Sequence, residues 1–357
     1  MTILIIGYPF EGRGGVETIV PKVAHHLQKN KSLHGFVFFQ RKILPTVRWN
    51  WLADFRLIKF NSKLPRFLSV IYFALKVKGY LKQNPSIDTL ICLNPQICQI
   101  ARLAVGTKSK YQIISWIHGS LHDLSYKNIK RILCADRHWA ISAAIATQLE
   151  DNGVNKNNID LIYNGIERQP QSLTGETSKL TLLNVGRLQL DDKKSLRTLF
   201  DALATLKIDW VLHIIGGNPD KNQENKCIEY VRSLNLTKNV HFHGWQNKPW
   251  DYVLEHIGPV SVLVGCSTSE GFPMTLIEAM SWGIPCIWTD CPTGPSEIIQ
   301  HEKNGYLFPI SDAKALAQTL EKFANSQVIL TEQEIKESIN CFYEQEYFKR
   351  IDQALNH

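Results

Sequence analysis

Short apolar runs recur along the chain, and a stretch of helical periodicity follows each. The first series is Thr2–Tyr8, Phe36–Gln40, Thr89–Asn94, Gln112–Ile117, His138–Ser142 and Ile159–Tyr163. The second is Leu180–Val185, Trp210–Ile215, Val240–His243, Val260–Val264 and Cys286–Thr289. These runs are continuously apolar rather than alternating, which marks strands covered on both faces by helices, as in a parallel sheet. One open sheet of that many strands would be large, so the pattern predicts two doubly wound α/β halves of about five or six strands each. The polar segment Glu167–Ser178 has Pro170, Gly175 and no periodicity, and reads as the linker between them. This gives a domain over 1–168, a second over 169–335 and a terminal helical stretch, 336–357. The last must bury its apolar stripe of Ile339, Phe342, Tyr347, Phe348 and Ile351.

The 357 residues are 44% hydrophobic and 20% charged, which excludes a disordered chain, a collagen or a small disulfide scaffold. The most membrane-like stretch, Phe67–Leu75, is far shorter than the roughly 20 residues that span a bilayer. The N-terminus lacks a basic leader and reads as a buried strand rather than a signal peptide. None of the eight cysteines forms a C-x-x-C pair, and most sit in strand-like surroundings. They read as buried thiols with no metal spacing and, with no export signal, point to the reducing cytosol. The net charge of +7 is concentrated. Between Arg41 and Lys82 stand ten basic residues and one acid, Asp54, interleaved with eight aromatic residues. Such a stretch suits an anionic membrane surface or a phosphorylated acceptor. It is equally the composition of a solvated basic helix over an aromatic core. No nucleic-acid motif accompanies the charge.

Ligands of open parallel sheets sit beyond the carboxyl ends of the strands, so two such sheets facing each other would make a cleft, with the chemistry just after strands. Gly12-Arg13-Gly14-Gly15-Val16-Glu17 follows the first strand. Its glycines permit close approach of a ligand to the backbone, and a helix beginning near Val16 would attract an anion. Alone this is a weak signal, since a glycine-rich turn is common there. Gly186-Arg187-Leu188 ends the strand Leu180–Val185, with Lys193 and Lys194 close behind. An arginine fork and a lysine at one strand edge suit a pyrophosphate, although Asp191 and Asp192 could equally balance a surface cluster. Ser269-Glu270-Gly271-Phe272-Pro273-Met274-Thr275-Leu276-Ile277-Glu278 follows Val260–Val264 and is the most specific of the three. Gly271 and Pro273 read as a turn into a helix with proline at its first position. Amides of Gly271, Phe272 and Met274 would be free to donate, and Glu270 and Glu278 would accept from hydroxyls.

In this order and spacing, the Glu270–Glu278 element, the Gly186-Arg187-Leu188 strand end and the Gly14-Gly15-Val16-Glu17 loop resemble the retaining glycosyltransferases of GT-B fold called family 4. Several stretches more particularly resemble the branch that moves galactose from UDP-galactose onto a glucose of the lipopolysaccharide outer core in 1,6 linkage. They are the run from Glu270 to Cys286, Gly244-Trp245-Gln246, Pro249-Trp250, Asp290-Cys291 and Gly294-Pro295. The resemblance covers nearly the whole chain. It implies that Arg187 and Lys194, chosen over Lys193, hold the pyrophosphate. It also implies that Glu278 accepts from the ribose and that Glu270 and His118 lie at the donor sugar as catalytic groups. Gly271, Phe272 and Met274 would meet sugar and phosphate through their amides, and Gly14 and Gly15 would close over the phosphates. Where family members often have Lys-Gly, this chain has Lys194-Ser195, a departure that leaves the shape of that loop open. His122 and His138 read as structural and His213 as a core histidine.

The same resemblance implies a UDP-hexose as donor substrate, no cofactor and no metal requirement. It implies an acceptor held by the first domain, a lipopolysaccharide core or other anionic glycan, which favours the membrane-surface reading of the basic stretch. The terminal helix would return to the first domain. The location would be cytoplasmic, peripheral on the inner face of the membrane. Three readings stay open beside it: a glucosyl- or N-acetylhexosaminyltransferase for another surface glycan, a UDP-sugar 2-epimerase, and a non-catalytic scaffold.

Overall fold

The computed structural model describes residues 1–9, 14–30, 32–40, 50–175, 178–325 and 331–356. Gly12 and Arg13 of the first glycine loop, and Arg41, Lys42, Arg48 and Trp49 of the basic stretch, lie outside the described residues. The chain divides into two compact units, Met1–Asn164 with Phe348–His357, and Gly165–Tyr347.

The first unit holds a parallel sheet of seven strands, β1 (Ile3–Gly7), β2 (Leu33–Gln40), β3 (Leu57–Asn61), β4 (Thr89–Cys92), β5 (Gln112–Trp116), β6 (Arg137–Ala140) and β7 (Ile159–Leu161). Their order is β3-β2-β1-β4-β5-β6-β7. β1 lies between β2 and β4, with Ile5 opposite both Phe36 and Ile91. Leu4, Ile6, Val37, Phe39, Leu90 and Cys92 form a core with Phe73, Val77 and Leu81 of the helix Arg66–Gln83. The reversal of strand order beside β1 is the kind of position where doubly wound sheets take ligands.

The second unit repeats the plan with six strands, β8 (Leu180–Val185), β9 (Trp210–Ile215), β10 (Val240–Phe242), β11 (Val262–Gly265), β12 (Cys286–Thr289) and β13 (Gly305–Phe308). Their order is β10-β9-β8-β11-β12-β13, all parallel. Each expected apolar run contains one strand, within a few residues at its ends.

Four features differ from the sequence reading. β3 and β13 were not expected. Both are short outer strands, and β3 carries an exposed Lys59 at its centre. Charge and brevity are how edge strands avoid further pairing, and in β3 the lysine also interrupts the apolar run. The segment after Glu167 is not a loose linker. Leu173 is buried, its amide donates to the Trp282 carbonyl (2.9 Å) and its carbonyl accepts from Val260 (2.8 Å). The buried Lys336 ammonium donates to the carbonyls of Gln169 (3.2 Å) and Gln171 (2.7 Å). Those carbonyls solvate a charge that the apolar surroundings would otherwise penalise. Among the cysteines Cys134 is half-buried and Cys341 exposed; the other six are buried as expected. His213 lies half-buried at the β9–β10 edge rather than in the core. Its Nδ1 is 2.9 Å from His243 Nε2, and its ring stacks on His241 and His243.

The C-terminal stripe is buried except for Phe348, which is half-buried. Ile339, Phe342, Tyr347 and Ile351 are all sealed from solvent. The final helix, Glu344–Leu355, passes from the second unit into the first after Tyr347. There Phe348 stacks on His26 (4.3 Å between centroids), and Asp352 meets His26 Nε2 at 2.7 Å.

Candidate functional site

In the second unit the candidate residues gather on loops at the carboxyl ends of β8 and β11. β8 runs out at Val185, and Gly186 delivers Arg187 to the surface, where it is exposed. The chain then loops to the helix Leu196–Thr205 through Ser195, which sits in the left-handed region (φ 44°). That strained turn sets the two preceding lysines apart. Lys193 is exposed, and its carbonyl accepts from the amide of Thr268 (2.8 Å), pinning this loop to the one after β11. Lys194 turns inward. Its ammonium donates to Glu270 Oε1 at 2.6 Å, with Ser267 Oγ 3.4 Å away. The pair is only partly screened, Glu270 being 13% exposed. Asp191 is tied to Arg197, and Asp192 caps the Lys193 amide (2.8 Å), so both carboxylates serve the loop's own structure.

The loop after β11 is held from several sides. The Thr293 hydroxyl donates to the Glu270 carbonyl. Phe272 is buried and packs edge-on against Phe342 (5.3 Å), so its side chain anchors the turn and only its backbone can face a ligand. Gly294 (φ 94°) lies so close beneath that a Cβ there would come 2.5 Å from Pro273 Cδ. The helix spans Met274–Ser281, with Pro273 in the position just before it, one residue later than the sequence suggests. Glu278 stands one turn in, and its Oε2 accepts from Trp250 Nε1 (3.1 Å). Cys291, buried near Glu270, has its thiol pushed up to about 12, chiefly by burial and then by the Glu270 charge. It stays a neutral thiol.

Lys194 and Glu270 are thus brought into contact. Arg187, Gly271 and Met274 lie on the same two loops, and Glu278 is oriented from a third element. Trp250, Thr293 and Gly294 were not among the candidates. The available signal was their place, since Pro249-Trp250 follows β10 and the Thr293-Gly294 stretch follows β12, both at carboxyl strand ends. Trp250 rides on the short helix Pro249–Tyr252. Behind it Tyr252 Oη meets His243 Nδ1 (3.1 Å) at one end of the histidine stack.

The first unit carries the other candidates. Gly14 is extended and immediately precedes the helix Gly15–Lys29, and its carbonyl accepts from the Glu17 amide (3.1 Å); as a glycine it has no side chain with which to cap this helix start. His118 follows β5, with its ring against Trp116 (4.6 Å). Its Nε2 is buried and has no hydrogen-bond partner. Burial lowers its pKa to about 3, so the imidazole is neutral at pH 7. His138 is buried, bonded to Ser115 Oγ (2.8 Å) and lowered to about 4, mainly by burial. His122 belongs to a knot in which Gln148 Oε1 accepts from the Leu121 amide (2.7 Å), with Gln148 Nε2 3.5 Å from His122 Nδ1. Both fit the structural roles expected of them.

Comparison with known proteins agrees in both halves. Residues 165–340 match the family described as glycosyl transferases group 1, and residues 13–169 match glycosyltransferase family 4. The chain is 33% identical to the lipopolysaccharide 1,6-galactosyltransferase of Escherichia coli K12, over 99% of this chain and 98% of that one. It is 33% identical, at the same coverage, to the protein of the same name from Salmonella typhimurium LT2. Among solved structures it resembles the apo form of lipopolysaccharide outer core galactosyltransferase WaaB, with a TM-score of 0.90 and 32% identity over 100% of this chain and 99% of that one.

Proposed function

The chain belongs to the glycosyltransferases of group 1 and family 4, and on that footing we propose that it moves galactose from UDP-galactose onto a sugar of the lipopolysaccharide outer core in 1,6 linkage. The observation that carries this reading is end-to-end similarity to two lipopolysaccharide 1,6-galactosyltransferases. The site chemistry is compatible with it. Breaking the bond between the sugar C1 and the phosphate leaves positive charge on the sugar and negative charge on UDP. Arg187, exposed at the β8 end, and Lys194, aimed inward by Glu270, supply fixed cations for the pyrophosphate. Preorganised charge of this kind is commonly the largest single contribution to such a rate. Glu278, steadied by Trp250, accepts from the ribose hydroxyls. The amides of Gly271, Phe272 and Met274 donate to sugar and phosphate, and Gly14 and Gly15 let the first loop approach the phosphates.

His118 enters as a neutral group. Its buried, unpartnered Nε2 is suited to hydrogen-bond a sugar hydroxyl near the reacting carbon. The anomeric configuration is retained by attack of the acceptor hydroxyl on the face that UDP leaves, with the departing phosphate taking the proton. Arg187 and Lys194 provide the charge neutralisation, so a chelator is expected to leave the rate unchanged. The acceptor is borne by the inner face of the cytoplasmic membrane, and the protein works there from the cytoplasm.

The test is acceptor-dependent release of UDP from a panel of UDP-sugars, with truncated lipopolysaccharide as acceptor. Release with UDP-galactose supports the reading. Release only with UDP-glucose or UDP-N-acetylglucosamine replaces the donor and keeps the site. Conversion of UDP-sugar without acceptor means an epimerase.

A further inference from the structure

The helix Arg66–Gln83 buries one apolar face and leaves another uncovered. Phe73, Ala74, Val77 and Leu81 pack into the core of the first unit. On the other side Phe67, Leu68, Ile71 and Leu75 are exposed, as is Leu64 just ahead of the helix. Phe67 is 74% exposed and Leu75 64%. At about 100° per residue, these four helical positions fall within an arc of roughly 100°. Lys78 and Lys82, both exposed, continue the same arc toward the C-terminus. The outer face is therefore apolar in its first half and cationic in its second. Beside it runs a groove of about 550 Å³ lined by Phe60, Tyr72, Leu75, Lys76 and Tyr80 among others. Lys76 Nζ lies over the Tyr72 ring at 5.5 Å, its stem along the apolar wall and its charge outward. Single exposed leucines are ordinary; a contiguous apolar stripe on one helix marks a binding surface.

We propose that this face docks the protein on an anionic phospholipid bilayer, with Phe67, Leu68, Ile71 and Leu75 entering the boundary of headgroups and acyl chains and the lysines meeting lipid phosphates. Among the described residues no helix is long and apolar enough to cross a membrane, so the contact is peripheral. Charge selects the occupant. Residues 50–83 hold seven basic side chains and one acid, Asp54. A two-fold contact with a second copy would set this face's lysines against the partner's apolar half if the helices pair antiparallel, and against their own kind if parallel. An anionic bilayer offers apolar depth and negative charge together, and tyrosines such as Tyr72 and Tyr80 suit its interface. The inference deepens the proposed function and rests on it for the purpose of docking, which is to reach a membrane-borne acceptor.

The experiment is co-sedimentation of the full chain with vesicles containing phosphatidylglycerol, beside pure phosphatidylcholine vesicles. UDP binding by calorimetry and the thermal midpoint serve as independent controls. The native protein is expected to sediment with anionic vesicles, less so at high salt. Phe67→Ser, Ile71→Ser and Leu75→Ser together should weaken partitioning on the order of a hundredfold or more, given the apolar area withdrawn from lipid. Lys78→Glu with Lys82→Glu should weaken it at least roughly fivefold per lysine, on anionic vesicles only. If the triple variant does not fold, the charge pair carries the test alone. Vesicle binding unchanged in the variants overturns the proposal. So does absence of vesicle binding by the native chain, and a dimer in sedimentation equilibrium that the triple variant dissolves would then assign the face to a second copy. Vesicle binding is read without turnover, so failure of docking and failure of the transferase reading stay distinct.

Discussion

The two units present their candidate groups in opposite states. In the second unit the protein's own groups hold the polar atoms of the site. Glu270 has Lys194 on its carboxylate and Thr293 on its carbonyl, Glu278 has Trp250, and the 193 and 268 loops are bonded to each other. In the first unit, Gly14 starts a helix with no side chain of its own to cap it, and His118 keeps a buried nitrogen without a partner among the described residues. A network whose members satisfy one another is rigid before any ligand arrives. An unpartnered polar atom is a cost that a ligand can remove. The loops after β8 and β11 are thus preorganised by internal contacts, whereas His118 in the first unit keeps a polar atom that a ligand could satisfy.

The largest break in that contrast would come from Lys194→Ala. It removes a fixed cation from the proposed pyrophosphate position and strands the largely buried Glu270. Turnover is expected to fall by about 10²–10³, with a lowered thermal midpoint, while Lys193→Ala, at an exposed position, should change both little. Equal losses in the two variants would mean that the inward lysine has no special part in the site.

Acid acts on histidines of both units. His118 and His138 in the first unit are depressed to about 3 and about 4 by burial, and His213 in the second to about 4, chiefly by burial. Unfolded, each would titrate near 6.5. A histidine whose folded pKa is lowered stabilises the fold fully above 6.5 and loses that contribution as pH falls toward the folded value. Stability should therefore drop between about pH 6.5 and 4, with a slope of roughly 1.4 kcal/mol per pH unit for each histidine. Urea midpoints across that range would show it, and His138→Gln should flatten the slope. Because His118 is neutral throughout the neutral range, an acidic limb of kcat/KM near pH 6 should persist in His118→Gln if one is present at all.

Two glycines sharpen the comparison at smaller scale. Gly294→Ala places a Cβ into Pro273 at a backbone angle of φ 94°, and should cost about 1–3 kcal/mol while disturbing the Glu270 loop. Gly119→Ala, beside His118, meets nothing within 4 Å and should stay within about 0.5 kcal/mol of the native protein. Chemical denaturation of both variants gives the two numbers directly.

The sequence carried the inner strands because they are apolar on both sides, and it carried the Glu270–Glu278 loop because its turn and helix signals are local. It did not carry β3, whose exposed Lys59 interrupts the apolar run, or the four-residue β13, although Tyr306 and Phe308 there are buried. The resemblance favours Lys194 over Lys193, but nothing local foretells that Lys194 turns inward to Ser267 and Glu270, more than seventy residues away, ahead of a left-handed Ser195. Pro249-Trp250 and Gly294-Pro295 stood out in the resemblance, but the parts of Trp250, Thr293 and Gly294 were hidden, because each matters through a contact that only the fold creates. The Glu167–Ser178 segment misled in the opposite sense. Its polarity resembles a free linker, but its backbone carbonyls are in use, solvating Lys336.

Trp250→Phe should give the smallest effect, and it tests how preorganised the donor side is. The substitution keeps an aromatic ring on the helix Pro249–Tyr252 and removes only the indole N–H that Glu278 accepts at 3.1 Å. One hydrogen bond to a charged acceptor is worth about 1.5–3 kcal/mol where it is fully formed and unscreened. Glu278 is only partly buried, so the lower end applies. If Trp250 only positions Glu278 for the ribose, the KM for the donor should rise roughly tenfold with kcat nearly unchanged, because ground state and transition state lose the same contact. Glu278→Gln, which keeps the shape and changes the acceptor, should produce a shift of the same kind, and the double variant should fall short of the sum. A loss in kcat instead would place the tryptophan's influence at the reacting bond. Additive losses would mean that the 3.1 Å contact does not couple the two residues, and that contacts other than Trp250 hold Glu278.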